Sequence, residues 1–206
     1  MEVQLPSRKE PPMPETYVIR DQSATYFLTF TVVGWLDVFS RRRYCDIMVA
    51  AMNHCVDHKS LVIYSWVIMS NHIHVIMRSR QGKLSNTVRD LKRHTARKII
   101  TSILNDPESR RTWLLQTMKN EARSRSKHIN HQFWAYKNHA VELPPNYFSM
   151  NISKLMYIHN NPVKAGLVAS PEDYIYSSAR DYAGRIGLVK VEVMDLLLGG
   201  SLTSAQ

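Results

Sequence analysis

The chain has little cysteine and no long apolar run. The first argues against a disulfide-stabilised protein and the second against a membrane-spanning one. Of its 206 residues only Cys45 and Cys55 are cysteines; on one helix they would lie about 15 Å apart along the axis, too far for a disulfide. No apolar run reaches the length that spans a membrane. The first sixteen residues are polar, contain four prolines and do not have the pattern of a signal peptide. We therefore expect a cytoplasmic protein without membrane contact.

Acidic residues are scarce in the middle of the chain. Residues 81–140 contain 13 basic and 4 acidic residues, a net +9, whereas the whole chain has a net charge of +10. A cationic surface concentrated in this way favours a phosphate backbone as partner and predicts salt-dependent binding. A solvated, non-specific basic face is the alternative. The candidate phosphate contacts in this stretch are Arg89, Lys92, Arg93, Arg97, Lys98, Arg123, Arg125 and Lys127.

Hydrophobic periodicity predicts an α+β fold. The predicted strands are 24–33, 61–69, 72–78 and 133–143. The predicted helices are 41–58, 83–104, a short one at 112–120, and one capped by Ser149 or Asn151 that runs through Tyr157 toward Gly166. Leaving the short helix aside, the order β-α-β-β-α-β-α matches a split βαβ arrangement, an antiparallel sheet with helices packed on it. We expect an arm over 1–16, one domain over 17–196 and a tail over 197–206.

Two histidines one residue apart occupy an apolar strand. His72 and His74 point to the same face of that strand because strand side chains alternate. Two imidazoles on one rigid element offer two nitrogen ligands to a divalent metal ion. The alternative is a half-exposed strand face that carries two histidines and no ligand.

A tyrosine and an asparagine lie four residues apart on the last predicted helix. Tyr157 and Asn161 therefore project from one face, and the Asn161 amide oxygen suits a hard cation such as Mg²⁺ or Mn²⁺. Pro162 disfavours helical geometry at Asn161, so we expect a kink there. A tyrosine beside such a metal can attack a phosphodiester, and Lys154 on the same face would favour its ionised form. A packing tyrosine is the alternative.

Other residues make weaker candidates. His54 and His58 lie one helical turn apart around Cys55, a spacing that could bind zinc, but no further cluster completes the set and a solvated helix face is favoured. His139, close to the fourth predicted strand, is a secondary site candidate. Candidate stacking surfaces for unpaired bases are Trp113, Tyr136 and Trp134, of which Trp134 is equally a core candidate.

Two segments resemble one known family. MSNHIHVI at 69–76 resembles the His-hydrophobic-His strand of the HUH single-strand transposases. YIHNNPVKAGLV at 157–168, followed by PEDY at 171–174 and YSSAR at 176–180, resembles the C-terminal signature of the REP-associated tyrosine transposases. The resemblance extends over roughly 24–195, most of the chain, and the second motif is too long to be expected by chance.

The resemblance implies a ferredoxin-like core and a divalent metal, Mg²⁺ or Mn²⁺, held by His72 and His74 with Asn161 as third ligand. It implies that Tyr157 is the sole nucleophile, that single-stranded DNA is nicked at hairpin-associated sites, and that a 5′-phosphotyrosine and a free 3′-hydroxyl form before strand transfer. No nucleotide cofactor is needed. The implied partner is single-stranded or hairpin DNA, the implied state a monomer or homodimer, and the implied location the bacterial nucleoid.

Two other functions are weighed against this one. A non-catalytic protein that binds hairpin DNA or RNA would keep the fold and the basic surface. A histidine-dependent phosphoesterase on a similar fold would need a second histidine motif from the other half of a duplicated domain, and the chain has none.

Overall fold

A four-stranded antiparallel sheet organises the chain, as seen in a computed structural model that describes residues 18–123, 130–136, 138–144 and 148–194. The strands are β1 (Tyr26–Thr31), β2 (Leu61–Ile68), β3 (His72–Ser79) and β4 (Val141–Glu142), in the spatial order β2-β3-β1-β4. Every pairing is antiparallel, and β3 lies between β1 and β2. The predicted α+β class, an antiparallel ferredoxin-like sheet with packed helices, is confirmed.

Among the described residues, five helices accompany the sheet: α1 (Arg42–His58), α2 (Leu84–Asn105), α3 (Arg111–Arg123), α4 (Phe148–Lys164) and α5 (Ala179–Tyr182). Short 3₁₀ turns occupy Val33–Trp35, Val38–Ser40 and Pro171–Asp173. Helices α1 and α2 pack against each other, α3 packs against α2 and the turn at Val33–Trp35, and α4 packs against β2 and β3. None of the described helices is both long and apolar enough to cross a membrane.

The two faces of the sheet have separate cores. On one face, strand residues such as Phe30 and Val75 pack with apolar residues of α1 and α2. On the other face, Phe27 and Ile76 pack with Ile158 of α4. Since side chains alternate along β3, the histidines of this strand lie on the face that α4 covers.

Helix α4 begins earlier than predicted and ends at Lys164, close to the predicted end at Gly166. It begins at Phe148, so Ser149 and Asn151 lie inside its first turn and neither is the cap. It passes through Pro162, which lies in its last turn. The Leu167 amide donates to the Pro162 carbonyl at 2.9 Å, and Gly166 has φ +68°, a left-handed conformation that glycine adopts without strain.

The predicted strand 133–143 is mostly wrong. Only Val141–Glu142 pairs with β1 as a strand. Phe133 and Trp134 are neighbours, yet both belong to the core on the face that α1 and α2 cover, whereas a strand would send them to opposite faces. This segment lies alongside β1 and is joined to it by isolated hydrogen bonds, including one from the Thr29 amide to the Asn138 carbonyl at 2.8 Å.

The other predicted elements lie within a few residues of the observed bounds. The predicted arm 1–16, the tail 197–206 and the basic loop that contains Arg125 and Lys127 lie outside the described residues.

Candidate active site

His72 and His74 lie side by side on the central part of the sheet. Their ring centroids are 4.6 Å apart. His74 is paired with Thr29 of β1 on one side and with Val67 of β2 on the other. Hydrogen bonding on both sides fixes the backbone of β3, so the two imidazoles are held by a rigid support.

The His74 ring is buried and held on two sides. Its Nδ1 lies 2.9 Å from Thr29 Oγ1, and its ring stacks on Phe27 with centroids 5.3 Å apart. Burial first, and then the charges of His72 and Lys154, lower the pKa of His74 to about 3. The imidazole is therefore neutral at physiological pH. When Thr29 accepts from Nδ1–H, the Nε2 lone pair faces the site.

The half-buried His72 is oriented by its neighbour in the chain. Its Nδ1 lies 2.6 Å from Asn71 Oδ1, and Asn71 Nδ2 donates to the Trp35 carbonyl at 3.5 Å. A carbonyl oxygen only accepts, so Nδ1 of His72 carries the proton and Nε2 has the lone pair. Burial lowers the pKa of His72 below its usual value.

Tyr157 reaches this pair from a distant part of the chain. Its hydroxyl lies 3.4 Å from His74 Nε2, a long hydrogen bond between residues 83 positions apart. Leu155 and Ile158 are buried and hold α4 against the sheet, whereas Tyr157 is 42% exposed. The structure thus brings together His72, His74 and Tyr157 with a solvent-accessible tyrosine.

Asn161 and two lysines surround the tyrosine. Asn161 Nδ2 lies 3.4 Å from the Tyr157 carbonyl, which leaves its Oδ1 available, and no hydrogen bond of the described residues joins Asn161 to either histidine. Lys154 Nζ lies 4.9 Å from the Phe27 ring centre, and Lys164 Nζ lies 5.7 Å from that of Tyr157. The influence of Lys154 on Tyr157 stays a prediction, and Lys164 is a second cation beside the ring.

The donor set fits a divalent metal ion. Two neutral imidazoles present Nε2 lone pairs, and each ring is oriented through Nδ1 by a neighbour, Thr29 or Asn71, as is usual for metal-binding histidines. The amide oxygen of Asn161 is the one further donor that the sequence predicts. A site of this kind keeps coordination positions open for a phosphate.

The rival zinc site gains no support. The His54 and His58 rings are exposed and 4.7 Å apart. Cys55 between them is buried, and burial raises the pKa of its thiol. Within 18–123, 130–136, 138–144 and 148–194, no group of three His, Cys, Asp or Glu side chains could hold a metal ion.

A buried network fastens α4 beside the tyrosine, and it was not foreseen from the sequence. His159 Nε2 lies 3.1 Å from Ser65 Oγ and 2.9 Å from Ser178 Oγ. Ser178 Oγ also accepts from the Trp66 amide at 2.9 Å. Burial lowers the pKa of His159 to about 4. The available signal was that His159 and Ser178 both fall inside the two C-terminal motifs quoted above.

Lys92 differs from the other predicted phosphate contacts because its ammonium group is turned inward. Its Nζ donates to the Ala135 carbonyl at 3.1 Å and to Asn138 Oδ1 at 2.6 Å. It also lies over the rings of Phe30 and Trp134, and burial lowers its pKa to about 8. Lys92 therefore has a structural role: its hydrogen bonds hold Ala135 and Asn138, in the segment that lies beside β1.

The five other predicted phosphate contacts among the described residues are exposed. Arg89, Arg93, Arg97 and Lys98 belong to α2, and Arg123 ends α3. Arg93 and Arg97 line a cavity of about 380 Å³ between α1 and α2. Because α2 covers the other face of the sheet, these cations and the histidine pair face opposite ways.

The secondary candidates have different surroundings. His139 is exposed and has a left-handed backbone (φ +41°) just before β4. Trp134 is buried and donates from Nε1 to the Lys92 carbonyl at 3.1 Å, so it is a core residue. Trp113 and Tyr136 are exposed.

No family model and no curated protein matches the chain. Among solved structures, a REP-associated tyrosine transposase bound to a REP hairpin is similar over 95% of this chain and 100% of that one. The TM-score is 0.57 and the sequence identity is 17%. The two chains share a fold. The likeness does not extend to sequence, so the chemistry of the site rests on the geometry described above.

Proposed function

We propose that this chain is a metal-dependent endonuclease and strand transferase that nicks single-stranded DNA at hairpin-associated sites. The observation that carries the proposal is the hydroxyl of Tyr157 placed 3.4 Å from Nε2 of His74, beside a second neutral imidazole. A fold shared with a hairpin-bound transposase supports DNA as the partner, and the net charge of +10 agrees with it.

In the proposed reaction, the Tyr157 oxygen attacks a backbone phosphorus. The new bond joins the tyrosine oxygen to phosphorus and the bond from phosphorus to the 3′-oxygen breaks, which leaves a 5′-phosphotyrosine and a 3′-hydroxyl. The phenolic proton passes to water and the 3′-oxygen takes one up, so protons balance. Attack by a 3′-hydroxyl on the phosphotyrosine then rejoins a strand and frees the tyrosine, with no nucleotide consumed.

The protein's part is to position these groups. His72 Nε2, His74 Nε2 and Asn161 Oδ1 would hold the metal. A bound Mg²⁺ or Mn²⁺ supplies Lewis-acid polarisation of the scissile phosphate. Thr29 and Asn71 orient the imidazoles, and the buried network at His159 fixes α4 so that Tyr157 stays within reach.

The test is a denaturing gel that detects a covalent adduct. Purified protein is mixed with Mg²⁺ or Mn²⁺ and with single-stranded DNA from the flanks of its own gene. We expect a metal-dependent shifted band that Tyr157→Phe abolishes, because that variant lacks only the attacking oxygen. Tyr136→Phe is the matched control, since Tyr136 is also exposed, and it should form the adduct normally.

Two results would contradict the proposal in different ways. An adduct that persists in Tyr157→Phe would remove Tyr157 as the nucleophile. Salt-sensitive hairpin binding without any adduct, over a panel of flank sequences, would favour the non-catalytic protein that binds hairpin DNA or RNA.

A further inference from the structure

One tryptophan next to the candidate site is unusually exposed. Trp35 is 68% exposed, whereas tryptophan side chains are mostly buried on average. Its ring approaches that of His72 edge-on, with centroids 6.4 Å apart. The indole is therefore an exposed aromatic ring next to His72, carried by the loop that joins β1 to α1.

The backbone under Trp35 is held in an unfavourable conformation. Trp35 has φ +53° and Gly34 has φ +59°, both in the left-handed region that a bulky side chain rarely adopts. A Cβ on Gly34 would lie 2.9 Å from Thr117 Cγ2, so only glycine fits between this turn and α3. Val33 and Leu36 on either side are buried in the core. The fold thus fixes a conformation that keeps the ring outside the core.

The same side chain positions the tryptophan and the histidine. The Asn71 amide donates to the carbonyl of Trp35 and its oxygen lies against Nδ1 of His72. The indole and the imidazole are therefore supported by one planar group. Their separation has the scale of one nucleotide, in which a base and its own phosphate are neighbours.

We propose that Trp35 is a stacking site for an unpaired nucleobase, that of the nucleotide whose phosphate lies at His72 and His74. The proposal rests on the proposed nicking function. Every base has a face that stacks on an aromatic ring, so such a site takes single-stranded DNA without strong sequence preference. A ring fixed in advance by its backbone loses little conformational freedom on binding.

Fluorescence can observe the stacking directly. Trp66 and Trp134 are buried and Trp113 is 53% exposed, so Trp113→Phe leaves Trp35 as the exposed fluorophore. With Tyr157→Phe added to prevent cleavage, we expect a short oligothymidylate to quench the emission. An abasic oligonucleotide with the same number of phosphates should bind, as judged by anisotropy, without quenching. Equal quenching by both strands, or none by either, would overturn the proposal.

Variants at Trp35 supply the second measurement. Trp35→Ala should weaken oligothymidylate binding about 5- to 150-fold, the range that loss of one base–aromatic stack produces. Trp35→Phe should retain part of the affinity, and Ile186→Ala, a change at an exposed apolar side chain outside the proposed site, should retain all of it. Wild-type affinity of Trp35→Ala, in a variant whose circular dichroism and melting are normal, would contradict a stacking role.

The two proposals fail separately. Base-dependent quenching without any covalent adduct would leave the stacking site and remove the nicking function. Adduct formation by Trp35→Ala, with wild-type affinity for the same strand, would keep the nicking function and remove the stacking site.

Discussion

At the scale of single residues, the candidate site depends on which nitrogen of each histidine carries the proton. Asn71 decides this for His72, since its oxygen can only accept a hydrogen bond. Thr29 has the corresponding place beside His74. Neither residue would contact the DNA or the metal in the proposed reaction. Each nevertheless holds Nδ1 of its histidine, so that Nε2 faces the space beside Tyr157.

Thr29→Val tests this arrangement, because valine has nearly the same shape and cannot hydrogen-bond to Nδ1. We expect the fold to persist and the affinity for Mn²⁺ to fall about 10- to 100-fold, the usual cost of losing a hydrogen-bond partner behind a metal-binding histidine. Calorimetric titration of the purified protein with Mn²⁺ measures the change. Thr25→Val, a change just before β1, is the control. Equal Mn²⁺ affinity in wild type and Thr29→Val would show that Thr29 does not support a metal ligand.

At the scale of elements, α1 and α2 were predicted because each buries a regular stripe. Strand β2 was predicted because it is a short apolar run, and all eight of its residues are buried. Periodicity failed for 133–143, where the neighbours Phe133 and Trp134 both belong to the core on one face of the sheet. The juxtaposition of Tyr157 with His74 followed from the family resemblance and not from any spacing. The turn at Trp35 gave no usable signal, since its conformation depends on contact with α3.

The anchoring of α4 predicts a pH dependence of stability. Burial lowers the pKa of His159 to about 4 in the folded state, against about 6.5 in an unfolded chain. The unfolded state therefore binds more protons between these values, and the folded state loses stability as pH falls from about 6.5 to about 4. The loss in the free energy of unfolding that His159 can cause over this range is at most about 3 kcal/mol.

Urea unfolding of wild type and His159→Gln across this pH range measures the contribution. We expect the free-energy difference between the two proteins to shrink as pH falls, because glutamine does not titrate. Thr112→Ser, a change between non-titrating residues at an exposed position of α3, should reproduce the wild-type profile. Parallel profiles for wild type and His159→Gln would mean that His159 is not the titrating group.

At the scale of the whole molecule, the sheet separates two surfaces. Tyr157 and the histidines lie on the face covered by α4, whereas Arg93 and Arg97 line a cavity on the far side, between α1 and α2. A DNA strand that contacts both surfaces must pass round an edge of the sheet. Under the proposed function, the far surface then adds affinity without taking part in the reaction.

Neutralising the far surface tests that division. The double variant Arg93→Gln with Arg97→Gln should make the slope of log affinity against log salt concentration less negative by about 1 to 2. The rate of adduct formation at saturating DNA should stay at the wild-type value. Arg185→Gln with Lys190→Gln removes the same charge elsewhere and should leave the slope unchanged. A slope unaffected by the α2 changes would place the DNA on the α4 face alone.

The placement of Ser178 late in the chain has a consequence for synthesis. The strands that carry and flank the histidines are all encoded before residue 80, and amino-terminal segments fold first on the ribosome. Tyr157 emerges later, and the hydroxyl that fastens its helix through His159 later still. Under the proposed function, a nascent chain would therefore present the imidazoles before the proposed nucleophile. Under the proposed function, the helix that carries Tyr157 would gain its hydrogen bond to Ser178 only after translation has passed that residue.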